Sequence, residues 1–336
     1  VTTLDARDNG RAIAAMLAAN AVFMVNDALV KAVGIGMPLG QVMALRGAFA
    51  FALLLVACQA VGVFRRMDRL FQPAVLLRTA LETTASFLYL YALLHLPVAN
   101  SAAILQALPL VVTAGAAVFL GAPVGWRRWL AILIGLAGVM LIIRPGLEGF
   151  SGWALVTLSS VVFMGARDLV TRRIPPDVHT FGISIMTIFT VAVLGGVISV
   201  SNVFPDLGGW KTPDLSELVL LALCAGLLVA GYILLIMAVR IGDISVVAPF
   251  RYSSVLWAMG MGFLLFGEVP DRLTLLGTGI IIATGVYMFL RERRVARLGR
   301  QAAAVAAPAV APGPVDLTDS GTLAGDASLA DERPRA

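Results

Sequence analysis

Charge is what this chain has least of. Only 13% of its 336 residues are Asp, Glu, Lys or Arg, 59% are hydrophobic, and the mean hydropathy is +0.92. A soluble domain carries roughly 25% charged residues. So few charges cannot cover a water-facing surface, but they suit a polytopic membrane protein. Cysteine is nearly absent as well. Cys58 and Cys224 both lie inside apolar runs, where a thiol behaves as a small buried apolar group rather than as half a disulfide. The two histidines, His95 and His179, flank such runs without an HExxH or other metal spacing. No metal or cofactor is therefore expected. No GxxxxGK[ST] loop occurs, which argues against a nucleotide-driven pump. Ser159, Ser160, Ser253 and Ser254 have no base nearby in sequence, so the nucleophile–base pair of an intramembrane enzyme is missing.

Apolar runs are what the chain has in abundance. A helix needs about 20 such residues to cross the hydrocarbon core. With Pro, Gly and charge clusters as stops, ten spans are expected at about 12–33, 39–63, 74–94, 99–120, 129–143, 152–170, 180–201, 216–238, 245–266 and 273–290. The first run, from Ala12, continues into this pattern and reads as a span rather than a cleavable signal. Fifteen arginines fall in the termini and alternate loops, against Lys31, Arg144, Lys211 and Arg272 in the other loops. By the positive-inside rule both termini are cytoplasmic. The pI of about 9.7 then reflects topology, and no nucleic-acid partner is expected. Beyond Gly299 the chain turns Ala/Pro-rich without periodicity, the composition of a disordered tail.

The chain also repeats itself. VFMVNDALV at 22–30 and VFMGARDLV at 162–170 match at five of nine positions without a gap. At a slightly larger offset Ala92 aligns with Ala238, Ala102 with Ala248 and Gly121 with Gly267, and one inserted residue later Gly138 falls on Gly285. The order of these matches indicates a duplication with units at 11–146 and 152–290, followed by a basic segment and tail at 291–336. Five spans per unit is an odd number, so the second copy is inverted, an architecture that places a substrate site between the halves.

Three stretches carry a resemblance: YALLHLPVANSAAILQALPL at 91–110, WRRWLAILIGLAGVMLIIRPG at 126–146 and VVAPFRYSSVLWAMGMGFLLFGEVPD at 246–271. They resemble the EamA-type carriers of the drug/metabolite transporter superfamily, and the likeness covers about residues 11–290. NDALVK at 26–31, with Pro38, Gln41 and Arg46, is similar to the branch that includes S-adenosylmethionine and riboflavin carriers. The resemblance implies an all-α integral membrane fold of ten transmembrane helices in two inverted five-helix repeats. It also implies a secondary transporter of a small organic metabolite: a vitamin such as riboflavin, S-adenosylmethionine, or an amino acid. The expected setting is the inner membrane, with the lipid bilayer and a small-molecule substrate as partners and a homodimer left open. An exporter of the same fold is the alternative; a non-transporting scaffold would lack the duplication and the intramembrane arginines. One departure stands out. The Gly-Glu that often closes the fourth helix of each repeat is Gly267-Glu268 in the second copy but Gly121-Ala122 in the first.

Helical periodicity groups the polar residues. Asn20, Met24, Asp27 and Lys31 share a face of the first span; the equivalent face of the sixth is Ser160, Met164, Arg167 and Thr171, with Asp168 at its edge. Arg78, Glu82, Ser86 and Tyr89 line the third, Gln106 the fourth, and Arg251, Ser254, Ala258 and Gly262 the ninth. Arg46 and Arg251 differ from the rest, because neither has an acid three or four residues away and arginine cannot shed its charge. Each needs a carboxylate on another helix, water or an anionic group of a substrate, with Asp27, Glu82 and Asp168 as candidate partners. Tyr252 and Trp257 stand beside Arg251 as a wall for a planar ligand, or as packing. The candidate substrate site is thus Asp27, Gln41, Arg46, Glu82, Tyr89, Gln106, Arg251, Tyr252 and Trp257, with Asp27, Glu82 and Asp168 as candidates for ion coupling.

Overall fold

The computed structural model describes residues 6–61, 70–122, 124–145, 150–175, 178, 180–201, 207–241 and 244–306. Of the tail expected to be disordered beyond Gly299, residues 300–306 are helical and continue the last helix, while 307–336, like the loop arginines Arg65, Arg66 and Arg69, lie outside the described residues. The elements are α1 (Ala6–Gly34), α2 (Leu39–Val61), α3 (Pro73–His95), α4 (Val98–Leu105), α5 (Leu108–Leu120), α6 (Trp126–Ile143), α7 (Gly152–Thr171), α8 (Thr180–Val200), α9 (Leu215–Ile241), α10 (Ile244–Val247), a 3-10 turn (Ala248–Tyr252), α11 (Ser253–Phe266) and α12 (Arg272–Ala306). No strand occurs among the described residues. The chain divides into two units: Val1–Glu292 holds all ten crossings, and Arg293–Ala336 is described only over 293–306, where it is helical.

The fourth and ninth crossings are broken, each at a proline. Proline lacks an N–H and its ring clashes with the carbonyl four residues back. Pro109 thus ends α4 at Leu105 and becomes the second residue of α5. Pro249 forces α10 into the 3-10 turn before α11 can start. Both crossings then close on a glycine in the left-handed region, Gly121 at φ 62° and Gly267 at φ 65°, so the sequence match between these two glycines is also a geometric one. At the start of α9, Asp214 accepts from the Glu217 N–H at 2.7 Å while Glu217 accepts from the Asp214 N–H at 3.0 Å. This reciprocal capping box fixes where the eighth crossing begins.

Among the described residues, eight helical stretches are long and apolar enough to span a membrane. The two expected crossings outside that set are α3, which carries Arg78 and Glu82, and the broken ninth. Packing reveals the symmetry. The most extensive helix contacts are α1 on α9, α3 on α7, and α2 on α8. In crossing numbers these pairs are one and eight, three and six, two and seven. Exchanging the halves turns the first pair into the second and the third into itself. The same exchange relates α1 on α11 to α7 on α4 and α5. Five crossings separate equivalents, so equivalent helices run in opposite senses.

Small residues permit these approaches, as expected where apolar solvent supplies no hydrophobic drive. At the α2–α8 crossing a Cβ on Gly195 would lie 2.6 Å from the Ala44 nitrogen, and one on Gly47 would lie 2.7 Å from the Ala192 Cβ. Gly138 and Gly277 bring α6 and α12 equally close: a Cβ on Gly138 would sit 2.9 Å from the Gly277 carbonyl oxygen. Ala258 and Gly262 are buried on α11, so the small end of that stripe is a seam. Outward, Phe119, Leu133, Val197, Leu256 and Leu264 are exposed, an apolar belt that hydrocarbon solvates and water does not.

Replacing Gly195 by Leu is expected to overpack the α2–α8 crossing by about 1–3 kcal/mol, read as a lower unfolding midpoint in detergent. Gly196→Ala, one residue on with nothing within 4 Å of its Cβ position, should not lower that midpoint and should raise it slightly through helix propensity.

Candidate substrate site

The repeat symmetry brings α1, α2, α3, α7 and α9 together, and the candidate charges meet there in two groups. In the first, the Tyr89 hydroxyl on α3 donates to Asp27 Oδ2 on α1 at 2.6 Å, and Asn26 Nδ2 donates to Asp27 Oδ1 at 3.0 Å. Arg46 enters from α2. It is only 9% exposed, and its charge interacts with Asp27, Tyr89, Cys224 and Tyr232. Among the described residues its guanidinium donates no hydrogen bond and joins no ion pair. Tyr232, edge-on to Phe23 at 5.3 Å, feels Arg46 as well as Glu82, Arg78 and Arg167. It therefore lies between the two charged groups, and it is 47% exposed. Gly231 makes room for the Phe23 ring, whose Cε1 would lie 2.7 Å from a Cβ there.

The second group joins α3 to α7. Arg167 bridges Glu82 and Asp168, while Arg78 turns to α8 and donates to the Thr187 hydroxyl at 2.7 Å. Arg78 stands four residues before Glu82 and Asp27 four before Lys31, the spacing of local helix pairs. Tertiary contacts redirect all four. Glu82 and Tyr89 are two turns apart on one face of α3, so that single face serves both groups.

Lys31 belongs to a third cluster, at the end of the bundle where α1 finishes. Its ammonium donates to the Leu96 carbonyl and to Glu268 Oε1, each at 2.5 Å, and lies 5.0 Å from the Phe266 ring centroid. The other oxygen of Glu268 accepts the Val98 N–H at 2.8 Å, capping α4. One carboxylate thus ties α1, α4 and α11 together. The equivalent position in the first repeat is Ala122, which cannot form such a tie at the opposite end. Gln41 also works at the Lys31 end: its amide grips the Lys211 backbone in both directions, at 2.6 and 3.0 Å. These two bonds leave one N–H and one oxygen lone pair of the amide over. Arg144, a non-glycine at φ 54°, pairs with Asp271 there too.

The broken ninth crossing supplies the remaining polar contacts. Asn20 Nδ2 donates to the Phe250 and Arg251 carbonyls at 3.0 and 3.2 Å and to the Ser253 hydroxyl at 2.9 Å. It adds a donor to carbonyls of the 3-10 turn that also take the Ser253 N–H. Gln106, at the break in the fourth crossing, approaches the same Arg251 carbonyl at 3.4 Å, so the two breaks face each other. The Arg251 side chain itself is exposed and pairs with no described residue. Tyr252 packs on Gly285 of α12. Trp257 is 43% exposed on the same side of α11 as Leu256 and Leu264, away from Asp27 and Arg46. Arg167, Asn20 and Glu268 are the residues that sequence reasoning left out of the site. Arg167 stood on the retained stripe, but its acid is on another helix, and Glu268 reaches partners 170 and 237 positions away.

Two inverted five-helix repeats, with facing helix breaks and charged groups buried between them, define a membrane transporter. This chain belongs to the EamA-like transporter family, whose pattern matches residues 10–144 and again 151–291. It is 26% identical to the pseudopaline exporter of Pseudomonas aeruginosa strain UCBPP-PA14 over 277 residues, 82% of this chain and 94% of that one. It is also 26% identical to a riboflavin transporter of Vibrio cholerae over 292 residues, 86% and 96% of the two chains. An S-adenosylmethionine uptake transporter of Rickettsia bellii is 26% identical over 204 residues, 61% of this chain and 68% of that one. A solved crystal structure superposes with a TM-score of 0.55 at 19% identity, covering 84% of this chain and 98% of the other, a likeness of fold alone.

Removing one partner of a buried ion pair leaves the other uncompensated, at about 3–5 kcal/mol. Arg167→Ala should therefore lower the unfolding midpoint strongly, and adding Glu82→Gln should restore much of the loss, as a double-mutant cycle in detergent would show. At the bundle end, burial raises the Asp271 carboxyl, but hydrogen bonds from Arg144 and Thr274 outweigh it and leave the group below its ordinary value. That contribution is full above the unfolded carboxylate range near 4 and is lost as pH falls through the lower folded value. Because Asp271 is half exposed, the pair contributes no more than about 1 kcal/mol. Asp271→Asn should lower the midpoint slightly at neutral pH, by no more than that amount, and leave it unchanged well below pH 4, so that the acid limb is flattened.

Proposed function

We propose that this protein is a secondary carrier that moves a small organic metabolite across the inner membrane by alternating access. The repeats at 11–146 and 152–290 would rock about a site centred on Asp27 and Arg46. One observation carries this reading: the buried Arg46 has no hydrogen-bond acceptor among the described residues, and its charge faces the Asp27 carboxylate where the two halves meet. A structural arginine at membrane depth pairs with an acid or carbonyls; one that waits unpaired is arranged for something that arrives. The relatives support the substrate scale, since by name they carry pseudopaline, riboflavin and S-adenosylmethionine. Direction follows whichever gradient is coupled, so uptake and export use the same geometry.

With both termini cytoplasmic, Lys31–Glu268, Arg144–Asp271 and the Gln41 clamp all lie at the outer face, and the ninth-crossing break with Arg251 lies toward the cytoplasm. The arrangement is a carrier bolted outside. Opening outward requires Glu268 to release Lys31 and the first turn of α4. Of the three candidate coupling acids, Glu82 and Asp168 are already held by Arg167. Asp27 alone has no cation in contact among the described residues, so proton coupling falls to it.

The test is growth rescue of strains auxotrophic for each candidate metabolite, followed by exchange of the labelled compound in proteoliposomes. Asp27→Asn should make whatever exchange it retains independent of a pH gradient; a wild-type rate indifferent to the gradient would remove proton coupling from the mechanism. Lys31→Met should raise alkylation of a cysteine placed at Val98 from the outer side by several-fold, and unchanged labelling would mean that this cluster is no gate.

A further inference from the structure

The last crossings of the two repeats, α6 and α12, border a cleft that the carrier reading does not use. The two helices touch near their middles. A Cβ on Gly138 would sit 3.0 Å from the Ile280 Cγ2, and one on Gly135 would sit 2.9 Å from the Thr284 hydroxyl oxygen. Toward one end they stay latched, with Ile142 against Gly277 and Arg144 paired with Asp271 just before α12. Toward the other end they leave a cleft of about 430 Å³, bordered by Trp126, Arg127, Leu130 and Ile134 of α6 and by Ala283 and Tyr287 of α12. The cleft lies on the flank of the bundle where Leu130, Leu133 and Leu290 are exposed.

This cleft is apolar inside and cationic at its mouth. Its floor is Ala131 and Thr284, both buried, and the Thr284 hydroxyl is spent on the Ile280 and Ile281 carbonyls of its own helix at 2.8 and 3.0 Å. At the mouth the Arg127 guanidinium lies 5.3 Å from the Trp126 ring centroid. Among the described residues it has no hydrogen-bond acceptor and no ion pair. Across from it, Arg291 donates to the Tyr287 hydroxyl at 3.3 Å, which holds a second guanidinium at the same rim. Tryptophan and tyrosine settle at the headgroup level of a bilayer, so this rim marks the membrane surface. From Trp126 to Ile134 the helix rises about 12 Å, most of the ~15 Å that one leaflet gives to the hydrocarbon core.

An amphiphile with an anionic head and an apolar tail matches these features. We infer that the cleft between α6 and α12 is a binding site for an anionic phospholipid. One acyl chain lies along Leu130, Ile134 and Ala283, and the phosphate sits on Arg127 with Arg291 alongside. Hydrocarbon gains little by exchanging bilayer for protein, so the tail does not select; the head does. A guanidinium takes phosphate oxygens bidentately, and a zwitterionic headgroup brings an ammonium that offsets the attraction. On the orientation proposed above, the lipid belongs to the cytoplasmic leaflet. It bridges the last helix of one repeat to the last helix of the other, at the end opposite the Lys31 cluster.

The full chain in phosphatidylcholine nanodiscs tests this with two photoreactive probes that share one diazirine-bearing acyl chain. One probe is phosphatidylglycerol and the other phosphatidylcholine, and labelled peptides are mapped by mass spectrometry. The anionic probe is expected to label residues 126–134 and 283–287 roughly 5-fold more than the zwitterionic one, the worth of one arginine at a membrane surface. Arg127→Gln combined with Arg291→Gln should bring the two probes level there. Arg172→Gln removes an exposed charge after α7, outside the cleft, and should leave the ratio unchanged. Ala283→Trp should fill the cleft and suppress labelling by both probes. Equal labelling of the wild type by the two probes, or labelling spread evenly around the apolar belt, overturns the site whether or not the variants fold. A ratio that falls as far with Arg172→Gln as with the double variant also overturns it, because the attraction is then diffuse. Displacement of the anionic probe by glycerol phosphate would assign Arg127 to a free anion, and crosslinks between two copies of the chain at these residues would assign the face to a dimer; each rejects the lipid. Labelling is read without transport, so the carrier reading stands or falls separately.

Discussion

A guanidinium cannot be neutralised by giving up its proton, so an arginine at membrane depth must find opposite charge, carbonyls or water. This constraint organises the molecule. Arg167 meets it with two carboxylates and Arg144 with Asp271, while Arg78 donates to a threonine. Arg46 alone among these is buried without an acceptor among the described residues. Tyr89 and Asn26 hold Asp27, small residues let α2 and α8 cross closely, and Gly231 lets Phe23 lie against α9.

The two-fold relation between the halves is strict in the backbone and loose in the side chains. Both fourth crossings break near a proline and both end on a left-handed glycine, and the helix pairings map onto one another. Yet Asp27 faces Tyr89 where its counterpart Arg167 faces Glu82, and Glu268 ties three helices where Ala122 ties none. A carrier with identical halves would have equal energies for its two faces. Asymmetric ion pairs tilt that balance, and here they favour the arrangement closed at the Lys31 end.

Discontinuous helices have a second consequence. Broken crossings expose carbonyls that a bilayer cannot satisfy, so they persist only where side chains or water reach them. Asn20 serves that purpose for the ninth crossing, and the Gln106 amide approaches from the fourth. The polar stripe on α1 is thus divided: Asn20 bonds the backbone of the ninth crossing, Asp27 takes the Tyr89 and Asn26 bonds, and Lys31 ties one end of the bundle to Glu268.

Hydropathy and loop charge are local quantities, and they carried much of the architecture: ten apolar runs, an odd number per repeat, and hence an inverted duplication. Periodicity likewise placed Asp27, Glu82 and Tyr89 on faces that turn inward, and the isolation of Arg46 from acids on its own helix was visible in the spacing alone. Partner choice was not. Whether Glu82 pairs with Arg78 or Arg167, whether Asp27 meets Lys31 or Tyr89, and whether Gln41 and Trp257 face a ligand depend on which helices touch, which no single helix encodes. Arg251 shows the limit most clearly. Its spacing resembles that of Arg46, but the 3-10 turn at Pro249 changes the helical register and its side chain emerges exposed. One-dimensional patterns fix where charge lies along a helix; only the packing of ten helices decides which charges are answered and which are left waiting.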